Sequence, residues 1–99
     1  MKKILFMLTK SPYGHLETLE FLRRAKPGDV VVVAQDAVLG LVDPGCEFSR
    51  LIAKQRDNEV RVVVSKPDCL ARGVQPYGGI PMVGYEEQVD LICECELFC

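Results

Sequence analysis

The amino-acid sequence predicts an α/β fold, a three-layer α/β/α arrangement around a mainly parallel sheet of four or five strands. Two observations support this fold class. Short runs that are apolar throughout, such as the five residues from Val30 to Ala34, suit strands buried on both faces, as in parallel sheets. These runs alternate along the chain with segments in which apolar residues recur at helical spacing. Such alternation is typical of sheets covered by helices.

The length and composition fit one small domain over residues 1–99. The chain is 48% hydrophobic and 26% charged, and a chain of this size buries roughly 60 to 65% of its unfolded surface on folding. Its formal net charge is -2, which gives no general attraction to phosphate backbones or anionic membranes. Direct binding of nucleic acid or of membranes is therefore not expected.

The N-terminus and the cysteine content predict a cytoplasmic protein with reduced thiols. The apolar run after Met1-Lys2-Lys3 is too short for a signal peptide, and no small-residue cleavage site follows it. No segment is long enough to span a membrane. Five cysteines is an odd number, and without a secretory signal a disulfide framework is the less expected use of them.

The first half of the chain contains two predicted strands and three predicted helices. The strands cover 3–9 and 30–34, and the helices cover about 15–25, 37–41 and 46–55. The apolar residues expected to face inward from the first and third of these helices are Leu16, Leu19, Phe21, Leu22, Phe48, Leu51 and Ile52. This spacing of three and four residues is that of an amphipathic helix.

The second half contains a strand at 61–64, a helix that Gly73 ends, a short strand at 80–84 and a closing helix. The stretch 75–79 is polar and glycine-rich, as in a surface loop. Four apolar residues mark the expected inner face of the closing helix, namely Tyr85, Val89, Ile92 and Leu97. Five acidic residues mark its expected outer face, namely Glu86, Glu87, Asp90, Glu94 and Glu96.

The helix after the third strand has clear start and stop signals. Ser65 stands at the N-cap position, and Pro67 lies near the first helical positions, where its missing N–H costs nothing. Asp68 comes three residues after Ser65, which predicts a capping box with Asp in the Glu or Gln role.

Cys69 is the most chemically suggestive position, because it lies within one turn of a helix N-terminus. Arg72 follows three residues later, and both features favour the thiolate over the thiol. We therefore predict Cys69 as a candidate nucleophilic thiol. The alternative is a small, partly buried apolar residue, since free cysteine is among the most buried residue types.

Two other polar residues are candidates with structural alternatives. Asp36 follows the second strand at its carboxyl end, the edge of a parallel sheet where ligands gather. It could equally cap the helix at 37–41. His15 is the single histidine, and it is read as a solvated residue at a helix start or, alternatively, as a general base.

The C-terminal cysteines offer an alternative chemistry. Cys93, Cys95 and Cys99 could supply thiolates to Zn²⁺, with Cys46 or His15 as a fourth ligand. On a helix, however, Cys93 and Cys95 point about 200° apart, so the end of the chain would have to unwind. We predict no metal and no cofactor. The sequence has no phosphate-binding glycine loop, because Tyr77-Gly78-Gly79-Ile80 precedes a strand.

Four short motifs in order resemble the DsrH/TusB family. The motifs are Thr9-Lys10-Ser11-Pro12-Tyr13, Val33-Ala34-Gln35-Asp36-Ala37-Val38, Pro67-Asp68-Cys69-Leu70-Ala71-Arg72-Gly73-Val74, and Val83-Gly84-Tyr85 with Val89-Asp90-Leu91. The likeness runs over nearly the whole chain. In the DsrE/TusD relatives the sulfur-carrying cysteine also precedes an Arg-Gly, about one helical turn further away than Cys69 does, and residues four apart share a helix face.

The resemblance implies a sulfur-relay component that works in an oligomer. The implied pathway is 2-thiolation of the wobble uridine in tRNA or sulfur oxidation, and the implied partners are DsrE/TusD-like and DsrF/TusC-like subunits or further copies of this chain. The family implies at most a sulfur carrier or transferase subunit, and the resemblance makes Cys69 the candidate persulfide carrier. The alternatives are a non-catalytic α/β interaction subunit with structural cysteines and a small thiol or metal-binding protein.

Overall fold

A computed structural model describes residues 3–76 and 79–98 of the chain. Its elements, in chain order, are β1 (Ile4–Leu8), α1 (Leu16–Arg24), β2 (Val30–Val33), a 3-10 helix (Gln35–Leu41), α2 (Glu47–Asp57), β3 (Arg61–Ser65), α3 (Lys66–Arg72), β4 (Met82–Val83), α4 (Tyr85–Glu94) and β5 (Glu96–Phe98). Strands and helices alternate as the sequence predicts.

The five strands form one sheet in the order β4-β3-β2-β1-β5, and every neighbouring pair is parallel. Leu5 lies opposite Val30 in β2, and Val30 lies opposite Arg61 in β3. The four consecutive valines of β2 are all buried. They occupy the centre of the sheet, where β-branched side chains meet neighbours on both faces. The predicted parallel α/β fold is confirmed.

Strand order decides which face of the sheet each helix covers. The chain moves in one direction from β1 through β2 and β3 to β4, and then returns across the whole sheet to β5. Parallel crossovers are right-handed, so the first three connections lie on one face and the return connection lies on the other. α4 is therefore the helix of the second face.

Two apolar cores reflect this division. The larger contains the buried apolar residues of α1, α2 and α3, together with Phe6, Leu8, Val31, Val33, Val62 and Val64 of the sheet. The smaller contains Leu91 of α4 with Leu5, Val30, Val32, Val63 and Val83. Alternate residues of β1, β2 and β3 enter opposite cores, as the pleat of a strand requires.

Several predicted inner residues lie elsewhere. Leu16 begins α1 but is 78% exposed, and Leu19 and Leu22 provide the buried face of that helix. The prediction for Leu97 is wrong, because the closing helix ends at Glu94 and residue 97 lies in β5 beside β1. Without β5, β1 would be an edge strand with unpaired backbone N–H and C=O groups. Local sequence propensity does not reveal which distant segment pairs with such an edge.

The inner face predicted for the closing helix is also wrong. Tyr85, Val89 and Ile92 are exposed, and the buried residues of α4 are Gln88 and Leu91. The amide of Gln88 donates a 3.1 Å hydrogen bond to Oγ of Ser65, which orients this face toward the sheet. Residues 77 and 78 of the predicted surface loop lie outside the described part of the chain.

Among the described residues, no helix has the length and apolar character needed to cross a membrane.

Candidate functional site

The sequence-predicted site forms where β3 passes directly into α3. Ser65 is the last residue of β3 and the N-cap of α3, Pro67 lies in the first helical turn, and Gly73 ends the helix with φ of 65°. A left-handed φ of this kind is accessible to glycine at little cost. The strand-to-helix geometry predicted around Cys69 is therefore confirmed.

The predicted capping box is absent. Ser65 makes no side-chain hydrogen bond to the first turn of α3. Its hydroxyl is fully buried and accepts the hydrogen bond from Gln88 instead. Asp68 turns away from Ser65 and accepts a 2.9 Å hydrogen bond from the backbone N–H of Gln35, at the end of β2. Both side chains therefore form hydrogen bonds with residues distant in sequence and not with each other's backbone, as a capping box would require.

Cys69 points into the larger core and is 1% exposed. Burial raises the pKa of its thiol, the neighbouring Asp68 carboxylate raises it further, and the Arg72 guanidinium lowers it. The prediction that this position favours the thiolate is wrong. The helix dipole of a seven-residue helix is small, and desolvation disfavours any charged form.

Asp36 belongs to an ion-pair cluster at the carboxyl edge of the sheet. The Nε of Arg72 lies 3.1 Å from Oδ1 of Asp36, and another guanidinium nitrogen lies 3.5 Å from Oδ1 of Asp68. Asp36 does not cap a helix, because Ala34 is the N-cap of the 3-10 helix and Asp36 lies within it. The cluster therefore joins the 3-10 helix to α3.

Cys46 is a thiol that the sequence analysis considered only as a metal ligand. It is the N-cap of α2, and its sulfur accepts a 3.5 Å hydrogen bond from the backbone N–H of Ser49. Partial burial acts to raise the pKa of this thiol. Hydrogen bonds with Ser49, with Tyr13 and with the backbone of Phe48 outweigh that effect, so the pKa is lowered.

The surroundings of Cys46 are partly open. The residue is half-buried beside a depression of about 260 Å³ lined by Tyr13, Leu16 and Phe48. The sulfur also donates a 3.2 Å hydrogen bond to the carbonyl oxygen of Gly40. Once ionised, a thiol at a helix N-terminus is a nucleophile that a second thiol could reach. The signal in the sequence was its place directly after Asp43-Pro44-Gly45, at a helix start where an N-cap residue belongs.

The remaining candidates stay apart from Cys69. His15 is the N-cap of α1, is exposed, and places Nδ1 3.6 Å from a carboxylate oxygen of Glu17. Cys93 is exposed and Cys95 is half-buried, while Cys99 lies outside the described residues. Within residues 3–76 and 79–98, no three metal-ligating side chains converge.

Comparison with known proteins identifies the family. The model of the family described as DsrH like protein matches residues 10–97. The chain belongs to the DsrH-like family. It is 33% identical over 93 residues to Protein TusB of Pectobacterium atrosepticum and, equally, of Pectobacterium carotovorum, covering 92% of this chain and 93% of each relative. The predicted resemblance is confirmed.

Solved structures confirm the fold of this DsrH-like chain. The crystal structure of the ychN protein from E. coli superposes with a TM-score of 0.81 at 17% identity, over 99% of this chain and all of that one. The solution structure of protein Tm0979 from Thermotoga maritima gives a TM-score of 0.61 at 25% identity, over 90% of each chain.

The DsrH-like chain thus has two cysteines with opposite environments. Cys69 is in the position predicted for sulfur chemistry and is closed off from solvent. Cys46 was not predicted for that chemistry, yet it has the lowered pKa and the partial access that a nucleophilic thiol needs.

Proposed function

We propose that this chain is a sulfur-relay component that works within an oligomer and contributes to 2-thiolation of the wobble uridine in tRNA. The observation that carries the proposal is its 33% identity to TusB proteins over 92% of the chain. The whole chain, residues 1–99, acts as one DsrH/TusB-like domain in the cytoplasm. Its partners are DsrE/TusD-like and DsrF/TusC-like subunits.

Within that assembly, we propose that the chain acts chiefly as a scaffold for a sulfur carrier and not as a carrier on Cys69. A relay cysteine must ionise and must be reached by the thiolate of a partner. The 1% exposure of Cys69 and its raised pKa oppose both requirements. A persulfide role for Cys69 stays a prediction that needs α3 to move away from the larger core.

Reconstituted sulfur transfer tests the function. DsrE-like and DsrF-like subunits are combined with this chain, a cysteine desulfurase with cysteine, tRNA, and an ATP-dependent tRNA-thiolating enzyme that activates the uridine 2-carbonyl oxygen as the leaving group. A thiol reductant supplies the two electrons that release sulfur from the persulfide, and thiolated uridine in the tRNA is measured by mass spectrometry. We expect product only when this chain is present. Equal product without it would overturn the proposal and favour an interaction subunit of some other system.

A variant pair tests whether Cys69 carries sulfur. Cys69→Ser is expected to leave the yield of thiolated uridine unchanged once folding has been verified by circular dichroism, and Cys93→Ser is the matched control at an exposed cysteine. Intact mass and peptide mapping after the desulfurase reaction show whether any thiol gains one sulfur atom. Sulfur on Cys69 together with loss of transfer in Cys69→Ser would establish the carrier role.

A further inference from the structure

A pocket of about 390 Å³ opens at the carboxyl end of β1. Its walls come from the end of that strand, from the two residues that follow it and from the first turns of α1. The sulfur-relay function proposed above uses none of these side chains. We call this cavity the β1 pocket.

The topology of the sheet places the β1 pocket where parallel sheets bind small ligands. β2 and β5 lie on the two sides of β1, and the connections that lead to them lie on opposite faces of the sheet. Open parallel sheets bind ligands outside the carboxyl ends of their strands, at such a reversal of strand order. In the described residues, the pairing of β1 with β5 extends to Phe6 opposite Phe98. Met7 and Leu8 lie beyond that pair and line the pocket.

The β1 pocket combines apolar surface with one pair of opposite charges. Met7, Leu8 and Phe21 provide the apolar surface. The ammonium nitrogen of Lys10 lies 3.5 Å from a carboxylate oxygen of Glu17, and both side chains are exposed. Small-molecule sites typically have this composition, mostly apolar with a few polar groups that fix the orientation of the ligand, and a volume of roughly 300–1,000 Å³.

The segment that carries Lys10 is fixed by two other elements. Thr18 of α1 is 2% exposed, and its hydroxyl donates a 3.0 Å hydrogen bond to the carbonyl oxygen of Lys10. The backbone N–H of Asp36 donates a 3.1 Å hydrogen bond to the carbonyl oxygen of Thr9. The backbone of this wall is therefore held without a ligand, which lowers the entropic cost of binding one.

The two charges of the β1 pocket decide the class of ligand. A simple anion at Lys10 would also meet the Glu17 carboxylate, and a simple cation at Glu17 would also meet the Lys10 ammonium. Like charges at such distances repel each other. A zwitterion can place its carboxylate at Lys10 and its ammonium at Glu17. We propose that the β1 pocket binds a small zwitterion with an apolar side chain, such as an apolar α-amino acid, whose side chain lies against Phe21.

NMR titration of the isotope-labelled chain tests the ligand class. The zwitterionic probes are leucine, methionine and phenylalanine. Isocaproate has the carbon skeleton of leucine without the ammonium group, and isoamylamine has the ammonium group without the carboxylate. We expect saturable shifts in the backbone signals of residues 7–10 and 17–21 with at least one of the amino acids. Each singly charged analogue should bind about threefold or more weakly than leucine.

Charge variants test the orientation of the ligand. Lys10→Gln removes the cation, so leucine should bind about threefold or more weakly and isoamylamine more tightly than to the wild type. Glu17→Gln removes the anion, so leucine should again bind more weakly and isocaproate more tightly. Lys54→Gln with Asp57→Asn is the matched control, because it removes one cation and one anion from exposed residues of α2. Dispersed amide signals verify that each variant is folded.

Three results would overturn the proposal. The first is the absence of saturable shifts with all three amino acids at millimolar concentrations. The second is binding of isocaproate or isoamylamine to the wild type as tight as that of leucine. The third is leucine binding that both Lys10→Gln and Glu17→Gln retain. None of these results bears on sulfur transfer, which the reconstituted reaction measures separately.

Discussion

The backbone N–H of Gln35 donates a 2.9 Å hydrogen bond to Oδ2 of Asp68 and thereby ties the end of β2 to the first turn of α3. Gln35 has φ of 48°, a left-handed conformation that is uncommon for a residue other than glycine. The Asp68 carboxylate satisfies the N–H that this conformation presents, and Arg72 holds the carboxylate from the other side. Two adjacent strand ends are thus fixed to each other.

Replacement of Asp68 should therefore weaken the fold. We expect Asp68→Ala to lower the free energy of unfolding by about 1–2 kcal/mol, because it removes a charged acceptor from a backbone N–H. Urea unfolding followed by circular dichroism measures the change. Asp57→Ala, at an exposed carboxylate, should change stability by less than about 0.5 kcal/mol. Equal effects at both sites would show that the contact contributes nothing specific.

The lowered pKa of Cys46 predicts selective reactivity. Near neutral pH, iodoacetamide should modify Cys46 faster than Cys69, because more of the Cys46 thiol is ionised and Cys69 is closed off. Peptide mapping of a time course measures both rates. Tyr13→Phe removes one hydrogen bond to the sulfur and should move the pH midpoint of Cys46 alkylation upward. An unchanged midpoint would exclude Tyr13 as a donor.

The raised pKa of Cys69 predicts a loss of stability at alkaline pH. Above the ordinary thiol value of 9.0, the unfolded chain releases this proton while the folded chain retains it. The unfolded state then binds fewer protons, so stability falls as pH rises. Cys69→Ala should make this fall shallower. Cys95, whose pKa burial also raises, should keep part of it.

Unfolding curves in urea at a series of pH values from 7 upward measure the slope for wild type and Cys69→Ala. Comparison of slopes is independent of the stability that the smaller side chain loses at neutral pH. Parallel curves for the two proteins would show that the Cys69 thiol titrates as in the unfolded chain.

Gly40 should tolerate no side chain. A Cβ atom at this position would lie 2.5 Å from Cδ2 of Phe48 and 2.6 Å from Cγ of Pro12. Gly40→Ala should lower the free energy of unfolding by about 1–3 kcal/mol, as overpacking does in cores. Gly14→Ala is the control, since a Cβ there meets nothing within 4 Å. Thermal unfolding should show a lower midpoint for Gly40→Ala alone.

Local signals in the sequence determined the fold class and most of the element order. Runs of valine favour strands buried on both faces, and Pro67 and Gly73 indicate the start and end of α3. Such signals depend on neighbours along the chain, which a sequence displays directly. The order of four short motifs likewise predicted the family from the sequence alone.

Tertiary structure alone decided which thiol is accessible and which face of α4 is covered. Ser65 and Asp68 do not form the predicted capping box, because they form hydrogen bonds with Gln88 and Gln35, which lie in distant segments. Cys69 lacks the predicted thiolate character because its side chain is buried in the larger core. Burial and hydrogen bonding depend on residues far apart in sequence, so helical spacing could show that α4 has an apolar side but not what covers it.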